Sequence, residues 1–596
     1  MKRFFVFYVI AIGVVASLFA LPASDARFLN IQISYRLQND GSWDMEYQHQ
    51  VRLDSYYAVN RALGETFIVY NPDFQKLEIL KAETTMADGR KVAAPANAFN
   101  EVLPFAAHGF ADFAHLREMV VTHTGLERGA IVDLHYRIHT KAGFLPVFSG
   151  CEILAKTFPI DTFKLKILVP ASQVLRYRVF GLQADPEISN ADTEKQWVVT
   201  LKSIKPFIPE PLSSELAAPR IVFSSASGWE QALAVASDPS QLPAVLADQI
   251  AKLKTQTPAG LDLLAALQKI VALEFQNCTL GSVNAGWQPR PLNRVALSNY
   301  GTKLEKALLL QAMLQKAGIA AELLAIAAAT DFAADVPAVS QLGDIWLRVV
   351  DGSQALYLDP CHEQHEFFPY RCQGLAAFNL KSGQLETLPA ADWGQNGIDV
   401  FGTVVLEPAA VSGSLTVSAR GIFNRYEEAA ENNTKFVEGL LKKTIPVEKV
   451  EIKKLLVLTR HEFRAEVTFS GKWLKDVGAG FFSVDACRLP GLPDHIIQQN
   501  QRETPLLLDA PFKISLDLDL QPTAGLILDY SSPQVEKTNE VGYFSRSHSF
   551  EKNGHIRFSE TCGILNNPVR AELYPRLREL LKVYFTPDFW LVFKKK

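Results

Sequence analysis

The spacing of apolar residues changes twice along this 596-residue chain, and this change limits most strongly the folds that the chain can adopt. Between residues 27 and 203, short runs such as 67–70, 131–139 and 163–169 carry strand-like patterns separated by turn signals, which predicts antiparallel β-structure. Residues 225–390 show helical spacing instead, and strand-like runs return from residue 391. The sequence therefore predicts an α+β chain of several domains, of which the first is a β-sandwich.

Prolines set the boundary between the first two regions. Pro206, Pro209, Pro211 and Pro219 mark a linker over residues 204–224. We expect a β-rich N-terminal domain over 27–203, a mixed core over 225–390 and a β-rich C-terminal domain over 391–596, preceded by a signal segment over 1–26.

The first 26 residues have the composition of an export signal. Lys2 and Arg3 precede an unbroken apolar run over 4–21, and small residues follow up to Ala26, where cleavage is expected. The protein is therefore expected in the periplasm or outside the cell. The apolar run approaches the ~20 residues that span a bilayer, so an uncleaved anchor is the alternative and would be the expected route of membrane contact.

The charge of the chain argues against nucleic acid as a partner. Its formal net charge is −4 and its pI is about 6.3, which gives no basic field for a phosphate backbone. No strand is followed by a glycine-rich turn with phosphate-binding spacing, and no Gly-x-Ser-x-Gly motif occurs. We expect no cofactor.

One helix of the middle region has an unusually apolar pattern. Apolar residues recur at three-to-four spacing over 307–317, and Gly318 occupies the position where a left-handed residue ends a helix. The runs 319–328, 345–350 and 355–358 then predict a strand and a hairpin. A helix followed by antiparallel strands is the order of a papain-like domain.

The stretch that opens this helix resembles the core of bacterial exported transglutaminase-like proteins. In that family the helix begins on Tyr-Gly-Asp-Cys-x-Asp-Lys-Ala, and Tyr300, Gly301, Lys306 and Ala307 match this pattern. The runs 70–77 and 126–129 likewise resemble signatures of the β-rich domain of unknown function that precedes the family's core, and the C-terminal region resembles the family's C-terminal β domain.

The resemblance places three substituted residues at the family's catalytic positions. Lys303 stands at the cysteine position, Asp344 at the histidine position and Asp359 at the acid position, in a Leu-Asp-Pro turn. A lysine is protonated near neutral pH, and neighbouring carboxylates keep it so, which makes it a poor nucleophile. We expect no catalytic residues here, and a salt bridge between Lys303 and Asp344 with Asp359 nearby. The alternative is that Lys303 points into solvent.

The cysteines offer two further possibilities. Cys361 and Cys372 are close enough in sequence for a disulfide, with two buried free thiols as the alternative. Together with His362 and His365 they have the residue types of a zinc site, but their spacing matches no strong pattern, so no metal is expected. Cys278 is interpreted as a buried small residue.

These observations favour a pseudoenzyme at the cell envelope. The expected role is a binding or scaffold component for a peptide, a protein or a polysaccharide, with a transglutaminase-like cleft that binds without turnover. The alternative is an enzyme of the transglutaminase or cysteine-protease-like class that uses a non-standard nucleophile, either another cysteine or the amine of Lys303.

Overall fold

A computed structural model describes residues 24–213, 216–234, 242–352, 354–364, 366–442, 444–445, 447–485, 494–523, 525–585 and 590–596. The predicted signal segment, apart from residues 24–26, lies outside these residues, as do His365 and Cys487. Within the described part of the chain, every helix is too short or too polar to pass through a lipid bilayer.

The N-terminal domain is built from fourteen strands in three sheets. An eight-stranded sheet has the order β12-β13-β10-β1-β2-β8-β4-β5, and two three-stranded sheets have the orders β3-β7-β6 and β11-β14-β9. The strands are β1 Ala26–Leu37, β2 Trp43–Leu53, β3 Glu65–Tyr70, β4 Gln75–Thr85, β5 Lys91–Ala93, β6 Phe99–Val102, β7 Arg117–Thr122, β8 Ile131–Thr140, β9 Ser149–Ile153, β10 Ile160–Pro170, β11 Arg176–Phe180, β12 Glu187–Asn190, β13 Glu194–Ile204 and β14 Arg220–Ser224.

The sheets of this domain pack face to face. Ile221 and Phe223 of β14 are buried in the same cluster as Ile33 and Leu165 of the large sheet, which is the layered packing expected of a sandwich. Two details differ from the sequence analysis. Strand β1 pairs with β10 in parallel, although antiparallel structure was predicted. Strand β14 falls inside the predicted linker 204–224 but is buried along its whole length, so the linker ends earlier.

The core domain packs helices against a five-stranded sheet of order β19-β18-β17-β20-β21. Pro243 begins the second helix, as a fixed φ allows, and Gly318 ends the sixth with a φ of 90°. The elements are α1 Trp229–Ala232, α2 Ala244–Gln256, α3 Leu261–Lys269, β15 Gln276–Asn277, α4 Ser282–Ala285, α5 Leu292–Ser298, β16 Tyr300–Gly301, α6 Lys303–Ala317, β17 Ala321–Ala327, β18 Leu342–Asp351, β19 Gln354–Leu358, β20 Ala376–Asn379 and β21 Leu385–Thr387.

Helix α6 is the centre of the core domain. Eleven of its fifteen residues are buried, and the nine apolar ones, among them Leu309, Leu310 and Met313, share one cluster with the inner face of the sheet. A helix with this pattern is stabilised by contacts on most of its surface, so its N-terminal turn is held in a fixed position. The predicted helix, strand and hairpin are all present.

The C-terminal domain has an eight-stranded sheet of order β24-β25-β23-β22-β28-β32-β31-β30 and a four-stranded sheet of order β26-β27-β33-β29. Two short helices that meet at Asn432 interrupt the strands of this domain. The elements are β22 Gly397–Glu407, β23 Ala410–Arg420, α7 Tyr426–Glu431, α8 Asn433–Leu441, β24 Val447–Leu458, β25 Glu462–Gly471, β26 Lys475–Gly478, β27 Phe481–Asp485, β28 Phe512–Pro522, β29 Leu526–Ser531, β30 Val535–Thr538, β31 Gly542–Phe550, β32 Ile556–Ile564, α9 Tyr574–Phe585 and β33 Trp590–Lys595.

Candidate functional site

The first turn of α6 is fixed by a capping box that the sequence analysis overlooked. Thr302 is the N-cap residue, and its hydroxyl accepts a hydrogen bond from Glu305 N, while the Glu305 carboxylate accepts one from Thr302 N at 2.9 Å. The Thr-x-x-Glu spacing is itself a signal for such a box. Just before it, Gly301 lies so close to Lys306, Glu305 and Val295 that a Cβ would meet side-chain atoms at 3.1–3.3 Å.

Lys303 is the first residue of this helix, and the predicted ion pair is confirmed. Its Nζ lies 2.7 Å from Asp344 Oδ1 and donates a hydrogen bond to the carbonyl oxygen of Gly343, also at 2.7 Å. The side chains are 51% and 31% exposed, so the pair lies at the surface of a cleft and faces water on one side. The alternative of an unpaired lysine in solvent is not what the structure shows.

Asp359 binds His362, and not the residue at position 344 that its place in the family pattern implies. It is 4% exposed, and its carboxylate accepts hydrogen bonds from Cys361 N at 2.8 Å and from His362 Nδ1 at 2.9 Å. Arg371 lies 4.0 Å away. The imidazole beside this acid therefore comes from His362, three residues further along the chain. Sequence reasoning considered His362 only as a metal ligand, although the Asp-x-x-His spacing was visible.

The thiols near the site are protonated and free. Burial raises the pKa of Cys361 to about 12 and that of Cys278 to about 11, and burial also raises the pKa of Cys372, next to Asp344. Cys361 and Cys372 form no disulfide, so the alternative of two buried free thiols holds. A thiol needs a lowered pKa to act as a nucleophile, and none of these three has one.

Metal binding has no support from the described residues. Among them no group of three His, Cys, Asp or Glu side chains is arranged to hold a metal ion, and His365 lies outside them. His135 and His139 lie on one strand and contact the carboxylates of Glu46 and Asp44.

Behind the first turn of α6, a partly buried arginine connects the core to the N-terminal domain. Arg290 donates to Glu305 from its backbone N, Nε and Nη2, each at 2.9 Å, and its Nη1 contacts the carboxylate of Asp112. Its guanidinium lies 4.5 Å from the ring centre of Tyr300 and 4.9 Å from that of Phe113. The same carboxylate that caps α6 thus also binds the arginine that reaches the other domain.

Lys306, one turn into the helix, has a structural role. It is fully buried, and its Nζ donates to the carbonyl oxygens of Phe275 at 2.7 Å and Ala272 at 3.4 Å, and to the side chain of Asn277. Burial lowers its pKa. These bonds fix the segment before β15 against the helix.

Two of the three predicted site residues, Lys303 and Asp344, line one cleft of about 550 Å³. Its walls include the first turn of α6, the start of β18 and a segment of the N-terminal domain; residues that line it include Trp287, Lys303, Asp344, Cys361, His362 and Arg371. Asp359 lies beneath this cleft and lines a neighbouring one. A larger cavity of about 1010 Å³ lies against α7 and α8 and contains none of the three substituted positions.

Comparison with known proteins supports the fold. A family model described as a domain of unknown function with solved structure, DUF3857, matches residues 39–208. A crystal structure from Parabacteroides distasonis, of a protein described as a "putative protease", is similar with a TM-score of 0.72 and 22% identity, and the match covers 96% of this chain and 99% of that protein. The chain therefore shares its fold with that protein over nearly its whole length, and its N-terminal region contains a domain of the DUF3857 type.

Two other comparisons add nothing to this result. A crystal structure of a two-domain M1 zinc metallopeptidase bound to L-tryptophan aligns with 42% of this chain and 54% of its own length, at 12% identity, and its TM-score of 0.19 indicates no shared fold. A search of curated proteins gave no match.

Proposed function

We propose that this protein is an exported, transglutaminase-like pseudoenzyme that binds a peptide, a protein or a polysaccharide at the cell envelope, in the cleft beside Lys303. The observation that carries the proposal is the ion pair of 2.7 Å between Lys303 Nζ and Asp344 Oδ1 at the N-terminus of α6. In the family that the sequence resembles, these two positions hold a cysteine and a histidine.

The chemistry of the pair explains the loss of acyl transfer. A thiolate and an imidazolium form an ion pair that can share a proton, whereas an ammonium and a carboxylate keep their charges over the whole neutral range. Lys303 also donates to a backbone carbonyl, so its protonated form has two acceptors. The cleft keeps hydrogen-bonding groups for a ligand but has no activated nucleophile.

A peptide is the ligand class that we favour. The similar protein from Parabacteroides distasonis is described as a "putative protease", and the cleft of this chain lies in the part of the fold shared with it. Loss of the nucleophile would leave a protein that recognises peptides without cleaving them.

The test measures turnover and binding on the same preparations. Wild-type protein and the Lys303→Ala variant are incubated with a defined array of unmodified peptides, and hydrolysis and amine incorporation are followed by mass spectrometry. We expect binding of some peptides, weaker in the variant, and no turnover by either protein. Turnover by the wild type that disappears with Lys303→Ala would overturn the proposal.

A second candidate function has one observation in its favour. His362 is held on the buried carboxylate of Asp359 and lines the cleft, which is the arrangement of a general base. An enzyme with a non-standard nucleophile would use this pair. Turnover by the wild type that is lost with His362→Gln but kept with Lys303→Ala would select this function over the first.

A further inference from the structure

Four of the described side chains that line the cleft beside Lys303 belong to charged residues other than histidine, and three of them are held by an opposite charge. Lys303 and Asp344 bind each other at 2.7 Å, and Glu305 binds Arg290 at 2.9 Å. The fourth is Arg371, which makes no hydrogen bond with any residue that the structure describes. The charges of the cleft are therefore balanced by close ion pairs except at Arg371.

A buried acid lies near Arg371 but is engaged with other donors. The Nη1 atom of Arg371 lies 4.0 Å from Asp359 Oδ2, which is beyond hydrogen-bonding distance. The Asp359 carboxylate accepts shorter bonds, from Cys361 N at 2.8 Å and from His362 Nδ1 at 2.9 Å. The side chain of Arg371 is 52% exposed. Asp359 thus attracts the guanidinium without accepting a hydrogen bond from it, and its N–H donors stay available to a ligand.

The backbone that carries Arg371 is held on both sides. Arg371 is the middle residue of a 3-10 turn, and the next residue, Cys372, is buried. Gln373 Nε2 donates to the carbonyl oxygens of Tyr370 at 3.1 Å and of Asp509 at 2.7 Å. A binding group on a fixed backbone loses less conformational freedom when a ligand arrives, which favours binding.

Arg371 lies where the cleft meets a smaller cavity of about 290 Å³, and it lines both spaces. Four carboxylates line that cavity and do not line the cleft, namely Asp359, Glu363, Glu366 and Asp509. The two carboxylates that line the cleft are those already paired with Lys303 and Arg290. An anion is therefore expected to meet the guanidinium from the side of the cleft.

We propose that Arg371 binds a carboxylate of a peptide that lies in the cleft, supplied either by its C-terminus or by an Asp or Glu side chain. A guanidinium presents N–H donors in a planar fork, and two of them match the two oxygens of a carboxylate. The inference rests on the proposed binding function and deepens it, because it narrows the ligand to peptides that bring a carboxylate to this end of the cleft.

The test uses the peptide array of the proposed function in three forms. The first form has free C-termini, the second has amidated C-termini, and the third has amidated C-termini with Gln and Asn in place of Glu and Asp. We expect a carboxylate form to bind the wild type about tenfold more tightly than the third form, as measured by calorimetry. A preference for the first form over the second identifies the C-terminus, and a preference for the second over the third identifies an acidic side chain.

Substitutions of Arg371 test whether this residue carries the preference. Arg371→Gln should bind the three forms about equally, and Arg371→Lys should keep part of the preference, because an ammonium keeps the charge but not the paired donors. The matched control is Arg90→Gln, which removes the same charge from an exposed turn of the N-terminal domain and should keep the tenfold preference.

The possible failures separate the two proposals. Equal binding of the three forms by the wild type overturns the carboxylate site and leaves the binding function intact. A preference that persists in Arg371→Gln overturns the assignment to Arg371. An array that binds in none of its forms overturns peptide binding and the carboxylate site together.

Discussion

The first turn of α6 takes part in two ion-pair systems whose surroundings differ. Towards the cleft, Lys303 and Asp344 are 51% and 31% exposed. Towards the N-terminal domain, Arg290 and Glu305 are 13% and 1% exposed, and Arg290 also binds Asp112. The side chains of Arg290 and Glu305 make three hydrogen bonds with backbone groups, whereas the Lys303 pair makes one, to a backbone carbonyl.

This difference assigns different roles to the two systems. Charges buried in a network are costly to separate, because each one left alone loses both its partner and its water. Exposed pairs contribute little to stability, because water screens them. We infer that the Arg290 system holds two domains and the helix N-terminus together, while the Lys303 pair shapes the cleft.

The largest effect is expected from removal of Arg290, whose side chain is 13% exposed. In Arg290→Met, Glu305 and Asp112 lose their common partner, and the free energy of unfolding should fall by about 3–5 kcal/mol. Urea denaturation followed by circular dichroism measures the loss. Arg294→Met is the control, since Arg294 binds the same Asp112 but is 58% exposed, and its loss should be small. Equal losses in the two variants would contradict the comparison.

The next largest effect is a loss of stability at low pH, which we expect from two buried histidines of the N-terminal domain. Burial lowers the pKa of His49 to about 3 and that of His123 to about 4. Above about pH 6.5 these imidazoles are neutral in both the folded and the unfolded state. Between about pH 6.5 and pH 4 they are protonated in the unfolded chain but stay neutral in the folded domain. Stability should therefore fall as pH falls through this window, by at most about 1.4 kcal/mol per pH unit for each histidine.

Denaturation at several pH values tests this expectation. In the His123→Gln variant, the unfolding free energy should change less per pH unit below about pH 6.5 than in the wild type. The reason is that glutamine binds no proton in this range, so the contribution of one histidine is removed. An unchanged slope in His123→Gln would show that the imidazole is accessible to protons in the folded state.

A smaller effect is expected at the helix cap between the two systems. Thr302→Ala removes the hydroxyl that accepts from Glu305 N and should cost about 1 kcal/mol. Thr302→Ser keeps the hydroxyl and should cost much less. Thermal unfolding of the two variants gives the difference. If serine and alanine are equally destabilising, then the methyl group of Thr302, and not the capping box, holds this turn.

The two ion-pair systems also differ in how far apart their residues lie in the sequence, and this difference explains which contacts the sequence could predict. The extent of α6 followed from apolar spacing and Gly318, and the Lys303–Asp344 pair followed from a local pattern placed on a known fold. The contact between Arg290 and Asp112 joins residues 178 positions apart in different domains, and no local pattern encodes it. Strand β14 was missed because its five residues follow Pro219 inside a proline-rich stretch.

The parallel pairing of β1 with β10 was missed for a related reason. Alternation shows that a segment is a strand with one buried face, but it does not show which strand lies beside it or in which direction. The contact between His362 and Asp359 was missed although the two residues are only three positions apart in the sequence. The sequence did not show that the turn after β19 brings the imidazole back onto the carboxylate.

The smallest effect on stability is expected at the residue that defines the cleft. Lys303→Met removes the charge but keeps most of the aliphatic chain, and the free energy of unfolding should change by no more than about 1 kcal/mol, because the pair is exposed. Asp344→Asn should behave alike, and the double variant gives the coupling energy of the pair. Peptide binding should nevertheless weaken in each variant. A loss of stability as large as that of Arg290→Met would show that the open pair also holds the fold together, and the division between a structural and a ligand-binding side of the helix would fail.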